Sequence, residues 1–123
     1  SLAATRATLE NVLTEATYEH TIALCKKLVD GVAGIIKAND MPWHVLRLGC
    51  RAEWRWSKTP PRNGKEARAA FDMDLHELVH LYFMNRGILL TPPHSMVLIP
   101  PECTSDDIDR NNSVFAEFVS ELA

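Results

Sequence analysis

The sequence predicts an α+β domain: a small antiparallel sheet of about three strands, covered by helices on one face. Three observations lead there. Apolar residues recur at three- and four-residue steps in several separate segments, the mark of helices with one buried stripe. Between residues 44 and 56 the period changes to two. Residues 85–110 then carry a helix stop, two short apolar runs divided by Pro92-Pro93, and a new helix start. Helices interrupted by a few antiparallel strands bury their apolar stripes by lying on one side of a sheet.

Residues 2–15 read as a first helix, rich in Ala and Leu, with Leu2, Leu9, Val12 and Leu13 apolar. A second helix is expected to start at Thr17, whose hydroxyl caps it, and to bury Ile22, Cys25, Leu28, Val29, Val32, Ile35 and Ile36. Asn39-Asp40 ends that pattern, and Pro42 prevents its continuation. Residues 44–56 are expected to form one long strand. Leu46, Leu48, Cys50, Ala52, Trp54 and Trp56 share its core face, and Val45, Arg47, Gly49, Arg51, Glu53 and Arg55 the other. Residues 57–65, with two prolines and an Asn-Gly pair, are the least ordered by composition.

A third helix is expected over 74–85, with Leu75, Leu78, Val79, Tyr82 and Phe83 as its stripe. Gly87 follows as the left-handed residue past its end, and Arg86 meets the negative end of the helix dipole. Residues 88–90 and 96–99 are two short strands, each closed by a proline pair that cannot donate to a ladder. Thr104 with Asp107 fits an acidic capping box before a last helix bearing Ile108, Val114, Phe115, Phe118, Val119 and Leu122. Each of those, buried, contributes roughly 1.5–3 kcal/mol, so losing this helix is expected to unfold the domain.

At 123 residues the chain is one domain with a modest core. A formal net charge of −3 offers no electrostatic attraction to nucleic acid or an anionic membrane. No apolar run approaches a membrane span, and no signal-peptide pattern opens the chain. Cys25, Cys50 and Cys103 are too few and scattered for a disulfide framework or thiolate zinc site, and read as buried thiols in a reducing cytoplasm. The start at Ser1, inside a helical stretch, is what a fragment of a longer chain shows.

The order of these motifs resembles the C-terminal small domain of the class III, fold-type-I pyridoxal-phosphate aminotransferases, in the subgroup of glutamate-1-semialdehyde aminomutase and the β-amino-acid aminotransferases. The resemblance covers nearly all of the chain. Residues 1–9 (SLAATRATL) look like the helix entering the small domain, and 17–36 like the long helix that follows. Arg47-Leu48-Gly49 looks like the next strand motif, Asn85-Arg86-Gly87 like the later turn, and DDIDR at 106–110 like the opening of the last helix. The resemblance implies that 1–123 is the small domain, with 1–15 leading in from a missing large domain. It also implies a cytoplasmic homodimer acting on amino and keto acids with pyridoxal phosphate.

That cofactor needs a lysine, an acid opposite its ring nitrogen and a phosphate cup. Lys26, Lys27 and Lys37 fall on the solvated flank of a helix, and Lys58 and Lys65 in a polar loop. In the family the cofactor lysine belongs to the large domain, so this chain is expected neither to hold the cofactor nor to act alone. What the small domain supplies is one wall of the substrate pocket. Arg51 is the preferred carboxylate binder, because guanidinium binds carboxylate bidentately and Gly49 permits close approach. Arg55 is a weaker candidate, and Arg47 matches a structural arginine of the family. The bland alternative is a solvated arginine face paired with Glu53.

His94, Ser95 and Met96 form the second candidate wall. In glutamate-1-semialdehyde aminomutase this stretch resembles Pro-Ser-Gln-Phe-Glu, and Met96 stands where that glutamate falls. His94-Ser95-Met96 looks closer to the His-Asn-Met of aminotransferases acting on β-amino or aryl amino acids. The plain alternative is a tight turn with polar tips.

Two other function classes stay open. His76-Glu77-Leu78-Val79-His80 matches the zinc-peptidase HExxH pattern, in which two helical histidines ligate zinc and the glutamate is general base. No third histidine follows at the spacing of the larger zinc-peptidase motif, and Glu102, at a plausible distance for a third ligand, lies in a proline-flanked loop. His76, Glu77 and His80 on the polar or half-buried flank of a structural helix is the simpler reading. The remaining class is a non-catalytic α+β interaction module.

Overall fold

Thr14, three residues before the expected cap, opens the long helix. In the computed structural model, which describes residues 1–91 and 94–122, α1 spans Leu2–Asn11 and α2 spans Glu15–Ala38. The Thr14 hydroxyl accepts from the Thr17 N–H at 3.2 Å, while the Thr17 hydroxyl donates back to the Val12 carbonyl at 2.7 Å. The two threonines thus fold the α1–α2 corner together, which periodicity alone does not resolve. No residue of α1 is buried. At the other end, Asn39 closes α2 by donating from both backbone and side chain to the Ile35 carbonyl, and Asp40 turns the chain at φ +49°.

The expected single strand is a hairpin. β1 (His44–Leu48) and β2 (Arg51–Arg55) are antiparallel and joined by Gly49-Cys50, with Gly49 at φ +59°. A left-handed glycine at the first position of a two-residue turn matches the twist of the flanking strands. The reversal changes which faces agree, because Leu48 now lies opposite Arg51 and Val45 opposite Trp54. Ala52 and Trp54 do enter the core, as expected. Leu46 and Leu48, expected beside them, face away, 44% and 78% exposed. Cys50 sits half-buried in the turn, and Cys103 is also half-buried; of the three thiols only Cys25 is enclosed.

β3 (Met96–Leu98) pairs antiparallel with β2, giving the order β1-β2-β3. Residues 88–90 were expected to form a further strand, but they form none, and the next residue, Thr91, makes a single bridge to Met96. Leu90 is instead buried as a core side chain. The proline pair at 92–93, read as the break between those strands, lies outside the described residues. A short helix unforeseen in the sequence, α3 (Gly64–Ala69), follows the proline-rich loop. The Asn63 side chain caps it by accepting from the Glu66 N–H at 3.0 Å.

α4 (Met73–Met84) is capped by Asp72, and Gly87 takes φ +75° just past its end, both as a helix stop requires. α5 (Ser105–Leu122) opens on the expected capping box: the Thr104 N–H donates to the Asp107 carboxylate at 2.8 Å, and the Asp107 N–H to the Thr104 hydroxyl at 3.3 Å. α2 and α5 pack on each other and α4 touches α5. Val32, Leu28, Trp54, Phe83, Phe115 and Phe118 meet between these helices and the sheet. Trp54 sits 5.1 Å from Phe115 and 5.8 Å from Phe83, ring to ring. Ile22 on α2 and Leu122 at the end of α5, expected in the core, are exposed, and on α2 Leu24 is buried instead of Ile22. The α+β class, the three-stranded antiparallel sheet and its helix-covered face are as the sequence predicts.

Candidate functional site

The opposite face of the sheet carries charge in an apolar frame. Arg51, Glu53 and Arg55 alternate along β2, and their cross-strand neighbours on that face are His44, Leu46, Leu48, Met96 and Leu98. Glu53 is the centre. Its residue is only 9% exposed, its Oε2 lies 3.4 Å from Arg51, and its Oε1 lies 3.1 Å from Arg55 and 3.7 Å from Nδ1 of His94. The Arg55 contact pairs charges without hydrogen-bond alignment, so Oε1 is a buried acceptor with no hydrogen-bond donor of its own. A buried carboxylate is costly unless paired, and here two guanidiniums compensate it. Toward the hairpin end, Leu46, Leu48, Arg51 and Glu53 border a groove of about 360 Å³.

The sequence-derived candidates divide across this face. Arg51, with about half its side chain exposed, is the looser partner of Glu53 and keeps donors toward solvent. His94 is also about half exposed and reaches the same carboxylate, while Met96 lies directly opposite Glu53 in β3. These three therefore converge. Ser95 does not join them. It is buried, and its hydroxyl donates to the Trp54 carbonyl, so it ties the turn before β3 to the middle of the sheet. Arg47 lies across from Ala52 and donates to the Gly49 carbonyl at 3.0 Å, bracing the hairpin turn.

Sequence reasoning underrated Glu53, treating it as a mere surface partner. The signal was present: a +, −, + run at two-residue steps gathers on one face of a strand, and the Leu-Gly-Cys break marks a hairpin. What it lacked was β3, which closes the other side of the carboxylate.

The HExxH segment brings His76 to the Arg55 end of this cluster. His76 is buried against Phe71 and Trp56, ring centroids 4.6 Å and 5.3 Å away, and neither ring nitrogen has a partner. Burial, with Arg55 and His94 nearby, holds its pKa below the ordinary histidine value. It is more enclosed than the half-buried flank expected of it. Glu102 lines a separate groove with Gly87, Cys103 and Arg110, and the described residues contain no group of three potential metal ligands.

Nor do the lysines fit a pyridoxal-phosphate site. Lys26 pairs with Asp30 at 2.5 Å and Lys27 with Asp109 at 2.6 Å, and Lys37, Lys58 and Lys65 are exposed. None lies in the apolar, enclosed setting that imine chemistry on a lysine uses.

A three-stranded antiparallel sheet with helices on one face is the fold this chain shares with part of a solved aminomutase and part of a solved aminotransferase. No protein-family model matches the chain. Solved structures do. Glutamate-1-semialdehyde aminomutase from Pseudomonas aeruginosa PAO1 matches at 38% identity and a TM-score of 0.96, over 99% of this chain and 27% of that one. A lysine-to-alanine variant of that enzyme in complex with PMP matches equally well. A β-phenylalanine aminotransferase from Variovorax paradoxus shares the fold at a TM-score of 0.75 and 22% identity, over 94% of this chain and 26% of that one. The resemblance read from the sequence is thus shown over essentially the whole chain. The chain spans about a quarter of the length of these relatives. No helix among the described residues is long and apolar enough to cross a membrane.

Proposed function

We propose that this chain is the small domain of a cytoplasmic, homodimeric class III aminotransferase, and that its charged sheet face forms one wall of the substrate pocket. The full-length enzyme moves an amino group between an amino acid, of β-amino or aryl type, and a keto acid. In this reading residues 1–15 lead in from a large domain, which holds the cofactor; α1, with nothing buried, then finds its packing there. Pyridoxal phosphate, when bound to that domain, supplies the electron sink for the transfer.

The observation that carries the proposal is the convergence of Arg51, His94 and Met96 around Glu53 on the face of β2 opposite the one that carries Ala52 and Trp54 into the core. Arg51 fixes the substrate carboxylate, His94 presents a polar edge beside it, and Met96 supplies apolar contact to the side chain. Ser95 acts indirectly, by holding the turn to the Trp54 carbonyl. With Met96 at the aminomutase glutamate position, the reading favours transamination over isomerisation.

The test is steady-state kinetics of the full-length enzyme with Arg51→Ala. Loss of a charge-assisted bidentate contact costs about 1.5–3 kcal/mol, roughly ten- to a hundredfold in kcat/KM, with cofactor affinity unchanged. Arg55→Ala is expected to matter less. Equal and small effects from both would leave the arginines as solvated surface and remove the proposal's support.

A further inference from the structure

We infer that Glu53 sets the charge of this wall and thereby its substrate class: held between Arg51 and Arg55, its carboxylate leaves room for one substrate carboxylate and disfavours a second. The inference rests on the pocket-wall reading above and adds the residue that determines its selectivity.

The argument begins with where Glu53 lies. Its neighbours across the strands on that face are Leu46 and Met96, so apolar side chains flank the carboxylate on both sides. Apolar groups in place of the whole Arg51–Glu53–Arg55 cluster would pack between them with no desolvation cost, and such a replacement is often neutral or stabilising, whereas loss of Glu53 alone leaves Arg55 unpaired. Stability alone therefore gives no reason for a charged cluster at this place. The effect of Glu53 on its neighbours does. It holds Arg55, which is only 25% exposed, and Arg51, 48% exposed, on opposite oxygens. The two guanidiniums are thereby kept apart.

The charge balance follows. Arg51 and Arg55 bring two positive charges and Glu53 one negative, leaving one; the neighbouring histidines, His94, His44 opposite Arg55 and the buried His76, add charge only when protonated. The more exposed and more loosely held guanidinium, Arg51, carries the available donors. One carboxylate on Arg51 brings the wall to neutrality. A second carboxylate beside Leu46, Leu48 and Leu98 would approach Glu53 with no cation left to meet it, and an unpaired charge in such surroundings is strongly disfavoured. Glu53 is thus a positioning residue: it acts through Arg51 and Arg55 rather than by touching the reacting atoms.

The experiment compares alanine and β-alanine with aspartate, which adds a second carboxylate to either skeleton, as amino donors for the full-length enzyme. Glu53→Gln keeps the shape and removes the charge. The expected result is a rise of about tenfold in the aspartate-to-monocarboxylate ratio of kcat/KM, equivalent to about 1.4 kcal/mol of discrimination. Glu53→Asp, which keeps the charge, is expected to return the ratio toward that of the unmodified enzyme. A merely structural lesion lowers every donor together and leaves the ratio still. Should Glu53→Gln fail to fold, Arg55→Gln serves in its place: Glu53 then neutralises Arg51, and the KM for both monocarboxylates rises several-fold with little change in kcat. An unchanged ratio in a folded Glu53→Gln enzyme, or unchanged KM values in Arg55→Gln, overturns the inference while the wall reading stands. An Arg51→Ala enzyme with unaltered kinetics overturns the wall reading itself, and this inference with it.

Discussion

Trp54→Ala and Leu48→Ser decide between the hairpin and a continuous strand, because the two side chains share a face in the strand and lie on opposite faces in the hairpin. Trp54 is fully enclosed and packed against Phe83 and Phe115, so its truncation leaves a cavity among aromatic rings and costs about 3–5 kcal/mol. Leu48, 78% exposed, loses little, within about 0.5 kcal/mol. With an unfolding entropy of about 2.1 cal/mol/K per residue, a domain of 123 residues loses roughly 4 °C of melting temperature per kcal/mol. Trp54→Ala is therefore expected to melt about 10–20 °C lower, and Leu48→Ser within about 2 °C of the unmodified chain. Trp56→Ala falls between them, since that ring is half-buried at the sheet margin against Trp43 and His76. The assay is thermal and urea unfolding of the 123-residue chain followed by circular dichroism. A loss for Leu48→Ser comparable to that for Trp54→Ala would refute the hairpin register, because a core leucine loses several kcal/mol on truncation.

Gly87→Ala is expected to cost about 1–2 kcal/mol in urea unfolding, since φ is +75° there and a new Cβ would also press on the Arg110 guanidinium. Hydrogen bonds from the Thr104 side chain and then its N–H hold the Asp107 carboxyl below its ordinary value, and the Arg86 side chain does the same for Glu117. Groups depressed in the folded state contribute stability above their unfolded pKa, near 4, and lose it as pH falls through the folded value. Melting temperature should drop through that window, and Thr104→Ala should both lower it by a few degrees at neutral pH and flatten the acid limb. Borohydride trapping of the isolated chain with pyridoxal phosphate is expected to label no single lysine selectively; stoichiometric labelling of one lysine would contradict the solvated settings of all five.

Much of the fold was legible in local pattern. The stripe of α5, the capping box at Thr104 and Asp107, and the left-handed Gly87 each depend on residues within one or two turns, and short-range chemistry determines them whatever surrounds them. Arg51, His94 and Met96 could be nominated the same way, from residue type and motif order. Only the tertiary structure decided which of them meet. A two-residue turn at Gly49-Cys50 reverses the chain and inverts the faces of everything before it, sending Leu46 and Leu48 out of the core. β3, about forty residues on, then lays Met96 against Glu53, and its preceding turn draws Ser95 inward to the Trp54 carbonyl. The burial of Glu53 follows from those strand pairings. The alternation keeps one phase from Leu46 to Trp54, as a single strand would, so the sequence carries the period, while the two-residue turn and the pairing with β3 decide which side of each half faces the core.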